Sequence, residues 1–179
     1  MIPFSIVLQH SLLYGMILSI FMSSIIFVTL YWCPLIWLSD APDDIQQAMG
    51  PLSKRDQRIR GLVGIPTLMV VVGILVYSII QLATLAQGVV SFGTIALSIF
   101  LIIQVFNLVD LIIIDWLILV LIRPSFLTVP GTEQFHGPQA YLFHFYAFLK
   151  GSIGALIASL VIAAISSAVL LIYSAVQTY

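Results

Sequence analysis

The sequence predicts an all-α membrane protein that crosses the bilayer four times as an antiparallel helix bundle. First, 61% of its 179 residues are hydrophobic and only 7% are charged, whereas about 25% of residues in soluble domains are charged. Second, four apolar segments are each long enough for the roughly 20 helical residues that cross a bilayer: 11–32, 62–86, 92–122 and 152–176. Because these runs are continuous rather than alternating, they indicate helices.

The basic residues lie on one side of this bundle. With four spans, the connections 33–61 and 123–151 share a side of the membrane, and they contain all six Lys and Arg residues: Lys54, Arg55, Arg58, Arg60, Arg123 and Lys150. Because cytoplasmic loops of membrane proteins are enriched in Lys and Arg, we expect both connections to be cytoplasmic and both termini to lie outside. Residues 1–179 then form one transmembrane domain.

A short helix is predicted in the first connection. Ser39 or Asp40 can cap it, and Gly50 ends it. Ser53 and Asp56 then have the spacing of a second capping box, which leads into Arg58 and Arg60. We expect short interfacial helices on the cytoplasmic side.

A basic cluster follows the capping box. It consists of Lys54, Arg55, Arg58 and Arg60. Basic residues beside a transmembrane helix attract anionic lipid headgroups, and they also suit a solvated loop. The lipid bilayer is the expected partner, with anionic headgroups as ligands of this cluster. The basic residues are too few to indicate nucleic-acid binding.

The third span contains polar residues that an apolar helix must accommodate. A charge at the bilayer centre costs roughly 2.5 to 3.5 kcal/mol, so such residues usually face a bundle interior and are functional candidates. At about 100° per residue, these side chains fall within an arc of about 140°: Gln104, Asn107, Asp110 and Asp115. We expect them to form one inward-facing polar stripe, with Asp115 near the cytoplasmic boundary.

The second connection supplies further titratable residues. Glu133 and His136 have the Glu-x-x-His spacing that places two metal ligands on one helical face in carboxylate-bridged metal proteins. His144 lies in an aromatic segment. We expect this segment to form an interfacial helix that begins at Pro138 and breaks at Gly151.

Together, the stripe and the second connection define a candidate site. Its residues are Asp110, Asp115, Glu133, His136 and His144. A carboxylate and a His can act as an acid/base pair, and both residue types bind metal ions. The predicted metal ligands are Asp115, Glu133, His136 and His144.

A structural interpretation of the same residues is the alternative. Asp115 would pair with Arg123 or with an Arg of the first connection. Asp110 would pair with Asn107 or a hydroxyl, and the histidines would bond to backbone groups. No phosphate-binding glycine loop, Ser-His-Asp arrangement or zinc signature is present, so the sequence assigns no cofactor.

Two features predict how the helices pack. The connection 87–91 is short, which makes the second and third spans antiparallel neighbours, and Ser91 is predicted to cap the third helix. The fourth span has a ladder of small residues that lets helix backbones approach closely, either within the bundle or in a homodimer: Gly151, Ala155, Ser159, Ala163 and Ser167.

His10 precedes the first predicted span. If the helix begins as early as Pro3, His10 lies in the outer leaflet or its interface. We expect its imidazole to bond to backbone or to a lipid headgroup there, with a functional role as the alternative.

Short segments in both connections and in the third span are similar to segments of other membrane proteins. They are 38–40, 42–45, 51–54, 115–117, 130–133, 143–145 and 148–151. Pro-Gly-Thr-Glu at 130–133 and Phe-His-Phe at 143–145 are the most distinctive. These segments resemble a group of small, uncharacterised bacterial integral membrane proteins with four spans. The resemblance implies a bacterial inner-membrane protein and implies no activity.

Three functions are open on the sequence. The first is a small membrane protein that works by binding or assembly and has a polar site in its cytoplasmic half. The second is a membrane-embedded enzyme that acts on a lipid, isoprenoid or quinone-like substrate. The third is a proton- or ion-coupled carrier or carrier subunit, although four spans without an evident internal repeat differ from the repeated halves of many carriers.

Overall fold

The protein folds as an all-α bundle. The computed structural model describes residues 2–87, 90–125 and 137–177. Within these ranges there is no β-strand, and four helices are long and apolar enough to cross a membrane. The predicted fold class, an all-α membrane protein with a four-helix bundle, is confirmed.

The described residues form seven helical elements. In chain order they are α1 (Phe4–Trp32), a 3-10 helix (Pro34–Asp40), α2 (Asp43–Met49), α3 (Lys54–Leu85), α4 (Phe92–Val109), a π-helical segment that continues α4 (Asp110–Ile122) and α5 (Pro138–Gln177). The four spanning helices are therefore α1, α3, α4 with its π-helical segment, and α5.

Two of the predicted caps are present, at Ser53 and Ser91. Ser53 Oγ accepts the backbone N–H of Asp56 at 3.2 Å, and Ser91 Oγ accepts that of Thr94 at 3.3 Å. Each bond satisfies one of the unpaired N–H groups at a helix N-terminus. Gly50 follows α2 with a φ of 73°, a conformation that glycine adopts without a Cβ clash.

Two predicted helix boundaries are wrong. The predicted break at Gly151 is absent, because α5 runs through this residue. A single glycine costs a helix only about 1 kcal/mol, and α5 packs on α4 and its π-helical segment. The first short helix does not begin at Ser39 or Asp40, because the chain there is 3-10 helical and α2 starts after Pro42.

Helices α1 and α4 run parallel and lie close together. Near their N-terminal ends, the hydroxyl oxygens of Ser11 and Ser98 are 3.0 Å apart. Further along, a Cβ placed on Gly15 would lie 2.6 Å from Cβ of Val105. Glycine at this position therefore allows the two backbones to approach, as small residues do at membrane helix interfaces.

Helix α1 lies between α3 and α4. Tyr14 on α1 contacts Tyr77 near the end of α3, with ring centroids 6.2 Å apart, so these two helices are antiparallel. The closest backbone neighbours of α4 are α1 and α5. The short connection does make α3 and α4 antiparallel, but they meet mainly through side chains of a shared core. The order across the bundle is α3, α1, α4, α5.

The core lies where α1, α3 and α4 meet. Its best-buried side chains are Leu18, Leu82, Ile95, Ile99 and Ile102, each at most 2% exposed. A smaller cluster of Ile26, Leu30 and Ile114 joins α1 to the π-helical segment. Many other Leu, Ile, Val and Met side chains are exposed on the bundle, as expected for helices that face lipid.

Candidate functional site

A network of amide and hydroxyl groups joins α4 to α5. Gln104 Nε2 donates to Ser152 Oγ at 3.1 Å. Asn107 Nδ2 lies 3.3 Å from Gln104 Oε1, 3.2 Å from Ser152 Oγ and 3.1 Å from the carbonyl oxygen of Phe148. Ser152 Oγ also donates to that carbonyl at 2.9 Å. The first two residues of the predicted stripe therefore face α5 and bond to it.

Gly151 makes room for this network. A Cβ at position 151 would lie 2.9 Å from Asn107 Oδ1. The absence of a side chain lets the Asn107 amide reach the Phe148 carbonyl and the Ser152 hydroxyl. Gly151 thus packs beside α4, in keeping with its place in the small-residue ladder, and it does not break the helix.

Helix α4 changes type at Asp110. From there to Ile122 it is a π-helix, in which each N–H bonds to the carbonyl five residues earlier; the Arg123 N–H donates to Ile118 O at 2.8 Å in this way. In an α-helix, residues five apart point about 140° away from each other. A π-helix has more residues per turn than an α-helix, so the angular projection used for the stripe does not apply beyond Asp110.

Asp115 pairs with His144 across the same interface. Asp115 Oδ2 lies 3.1 Å from His144 Nδ1, and the two side chains are 17% and 15% exposed. Beside them, Trp116 Nε1 donates to the carbonyl oxygen of Tyr141 at 3.3 Å, and the two rings meet edge to face. The partner that the structure gives Asp115 is thus a histidine of α5, where the structural interpretation of the sequence had Arg123 or another arginine.

These contacts define a polar seam between α4 and α5. Its members are Gln104, Asn107, Asp115, His144 and Ser152. Asp110 is half-buried where the π-helix begins. Glu133 and His136 lie outside the described residues. Within the described ranges, no group of three or more His, Cys, Asp or Glu side chains is arranged to hold a metal ion.

The small-residue ladder of α5 continues the seam away from the loops. Ala155, Ser159 and Ala163 are buried within the chain, and Ala163 belongs to the same core cluster as Ile99 of α4. Ser159 Oγ donates to the carbonyl of its own helix at Leu156. These three ladder residues are therefore covered by the chain itself, while Ser167 is half-buried.

A second polar region, which the sequence did not reveal, surrounds His10. The imidazole is 7% exposed, and its Nδ1 lies 3.4 Å from Ser98 Oγ. Its ring centroid is 4.7 Å from that of Tyr14. The backbone of Ser78 also approaches the imidazole, but Nε2 is buried without a hydrogen bond of regular geometry.

This His10 cluster corrects the expectation that the imidazole bonds to a lipid headgroup. His10 faces α4 instead of lipid or solvent, because α1 begins at Phe4 and packs on α4 from near its N-terminal end. In the sequence, the only hint of this contact between α1 and α4 is that His10 and Ser11 in one apolar helix could meet Ser98 in another. A serine is weak evidence for such a contact, because its hydroxyl can bond to a backbone carbonyl of its own helix, as Ser11 does by donating to Val7 O.

The basic cluster lies on the first two turns of α3. Its four side chains are exposed: Lys54, Arg55, Arg58 and Arg60. In the part of the chain that the structure describes, none of the four forms an ion pair. Within the described ranges, their side chains therefore face solvent without a neutralising partner.

These features define the class of the protein, a multi-pass α-helical membrane protein. Within the described residues, two groups of polar contacts between helices lie on different sides of α4. No protein-family model, curated protein or solved structure matches the chain. The candidate site is therefore interpreted from its own geometry.

Proposed function

We propose that the protein is a small bacterial inner-membrane protein that works by binding or assembly within the bilayer. The observation that carries this proposal is the polar seam, in which amides of α4 and a carboxylate of its π-helical segment bond to α5. Gln104 and Asn107 bond to Ser152, and Asp115 bonds to His144. Polar groups in a bilayer that pair with one another hold helices together, whereas catalysis or transport needs groups that remain available to a substrate.

The proposed orientation places both long connections in the cytoplasm and both termini outside. It is supported by the basic cluster at the start of α3 and by Arg123 at the end of the π-helical segment, which lie at the same end of the bundle. Lys150 lies further along α5, between the two residues that bond to Asn107. The positive-inside rule assigns that end to the cytoplasm. The seam pair Asp115–His144 then lies in the cytoplasmic half.

The proposed partner of the basic cluster is the anionic headgroup layer of the membrane. Exposed Lys and Arg side chains at a helix end attract such headgroups. A homodimer through the α5 ladder is not proposed, because Ala155, Ser159 and Ala163 already pack within the chain.

Complementation of a deletion strain tests the proposal against a catalytic role. Because an assembly role uses the seam only for packing, His144→Asn and Asp110→Asn should complement at wild-type protein levels. Ser159→Leu adds bulk to a buried position and should abolish complementation. If His144→Asn is folded and abundant but inactive, the binding and assembly proposal is wrong.

A second candidate function is a membrane-embedded enzyme acting on a lipid, isoprenoid or quinone-like substrate. The Asp115–His144 pair favours it, because a carboxylate that orients an imidazole is a common acid/base arrangement, and both side chains are partly accessible. Metal analysis of the purified protein tests the metal-dependent form of this candidate. If protein purified without chelators contains no stoichiometric metal, the metal-dependent version of the enzyme hypothesis is excluded.

A further inference from the structure

The first half of α3 presents one continuous face to the outside of the bundle. At about 100° per residue, the residues of this face lie within an arc of about 100°: Lys54, Arg58, Gly61, Ile65, Leu68 and Met69. All six are exposed, and Ile65, Leu68 and Met69 are 66%, 63% and 69% exposed. We call this face the outer stripe of α3.

The opposite side of α3 contacts the rest of the protein. Ile59, Val63 and Thr67 are half-buried there, on the helix that packs against α1 and the 3-10 helix. Asp56, the acidic residue of the first turn, also lies on this side and bonds to Ser53. The outer stripe therefore carries cations without a neighbouring carboxylate of its own helix face.

The groups along the outer stripe are complementary to the parts of a phospholipid, in the same order: cations for the phosphate, an open position for the glycerol and aliphatic side chains for the acyl chains. Two cations come first, at the end of the helix. Gly61 follows about 4.5 Å beyond Arg58 at 1.5 Å per residue, and a Cβ placed there would meet nothing within 4 Å. Exposed aliphatic side chains then continue along α3 from Ile65, on the outside of the bundle and away from the N-terminal end of the helix.

We propose that the outer stripe binds one anionic phospholipid molecule. Its phosphate lies between the Lys54 ammonium and the Arg58 guanidinium, where charge complementarity favours it. The notch at Gly61 admits the glycerol backbone against the helix, and the acyl chains lie along Ile65, Leu68 and Met69. The site rests on the proposed attraction of the basic cluster for headgroups, and it assigns that attraction to two of the four cations.

Native mass spectrometry of the full-length protein tests this site. Protein is released from nanodiscs that contain equal amounts of phosphatidylglycerol and phosphatidylethanolamine, and the bound lipids are counted. One phosphatidylglycerol should be retained preferentially. Lys54→Gln and Arg58→Gln should each lower its retention about tenfold, because each variant removes a charge-assisted hydrogen bond to the phosphate.

Arg60→Gln is the matched control. It removes the same charge from the same helix turn, but Arg60 lies about 120° from Lys54 around the helix, on the other side from Arg58 and outside the stripe. Its retention of phosphatidylglycerol should equal that of the wild type. Gly61→Leu should lower retention without unfolding the protein, because the position is open; an unchanged melting temperature checks the fold.

The outcomes separate this site from the general role of the basic cluster. Equal losses in Arg58→Gln and Arg60→Gln would overturn the outer-stripe site and leave general headgroup attraction in place. No preference for phosphatidylglycerol in the wild type would overturn both. Unchanged retention in Gly61→Leu, with Arg58→Gln still defective, would overturn the proposed lipid pose. The complementation result for His144 is independent of all three.

Discussion

Helix α4 carries polar side chains on two sides, and the two polar regions are built differently. The His10 cluster faces α1 and depends on hydroxyls and one imidazole, whose Nε2 has no regular hydrogen bond. The polar seam faces α5 and joins the helices through amides and a carboxylate–imidazole pair. The number of polar residues in a region therefore does not by itself locate a site, because most of the hydrogen bonds between helices lie in the seam between α4 and α5.

The two regions are also separated from each other. Ile95, Ile99 and Ile102 of α4 are fully buried in the apolar core between them. Ser98 and Asn107 are nine residues apart, which places them on opposite sides of an α-helix at about 100° per residue. This arrangement does not provide a continuous polar path along α4, so it disfavours the proton or ion carrier that the sequence left open.

The largest expected effect comes from closing the space between α1 and α4. Gly15→Leu forces a side chain against Val105, and overpacking of this kind costs about 3 kcal/mol of unfolding free energy. Unfolding in mixed micelles with increasing dodecyl sulfate measures the loss. Gly154→Leu is the control, because a Cβ at position 154 meets nothing within 4 Å; an equal loss in both variants would show that helix propensity, not packing, is responsible.

The next effect comes from the charged pair of the seam. His144→Ala leaves the Asp115 carboxylate without the partner seen at 3.1 Å, and loss of a partner of a charged group costs about 2 kcal/mol. A double-mutant cycle with Asp115→Ala measures the pair itself, with an expected coupling of about 1 kcal/mol. A coupling of zero would contradict the role of this pair in joining α4 to α5.

A smaller effect is expected for the amide of the seam. Asn107→Ala removes bonds to Ser152 and to the Phe148 carbonyl, and interhelical hydrogen bonds in membrane proteins contribute about 0.6 kcal/mol on average. We expect a loss of about 1 kcal/mol in the same unfolding assay. Asn107→Ala combined with Ser152→Ala should lose less than the sum of the single variants, and additive losses would argue against the network.

The smallest effect is expected in the His10 cluster. His10→Phe removes a buried imidazole that has one long hydrogen bond and an unpaired Nε2. When both partners of a buried polar contact become apolar, the change in stability is close to zero. His10→Phe with Ser98→Ala should therefore unfold within about 0.5 kcal/mol of the wild type. A large loss of stability or of complementation would make this cluster, rather than the seam, the functional region.

Much of the bundle follows from the sequence. The four apolar runs, the caps at Ser53 and Ser91 and the stop at Gly50 depend on local chemistry, and the structure contains all of them. Gln104 and Asn107 were predicted to face inward, and both bond to α5. The partner of Asp115 could not be predicted, because a histidine and an arginine are equally suitable neighbours for a carboxylate until the helix register is known.

The sequence by itself determined the class of the protein, since apolar length and charge depletion fix membrane helices without reference to their neighbours. The tertiary structure decided the order α3, α1, α4, α5, the pairing of Asp115 with His144 and the burial of His10. The physical reason is that lipid gives apolar helices little preference among partners. Their arrangement is decided by close fits such as Gly15 on Val105 and by a few polar bonds between helices distant in the chain.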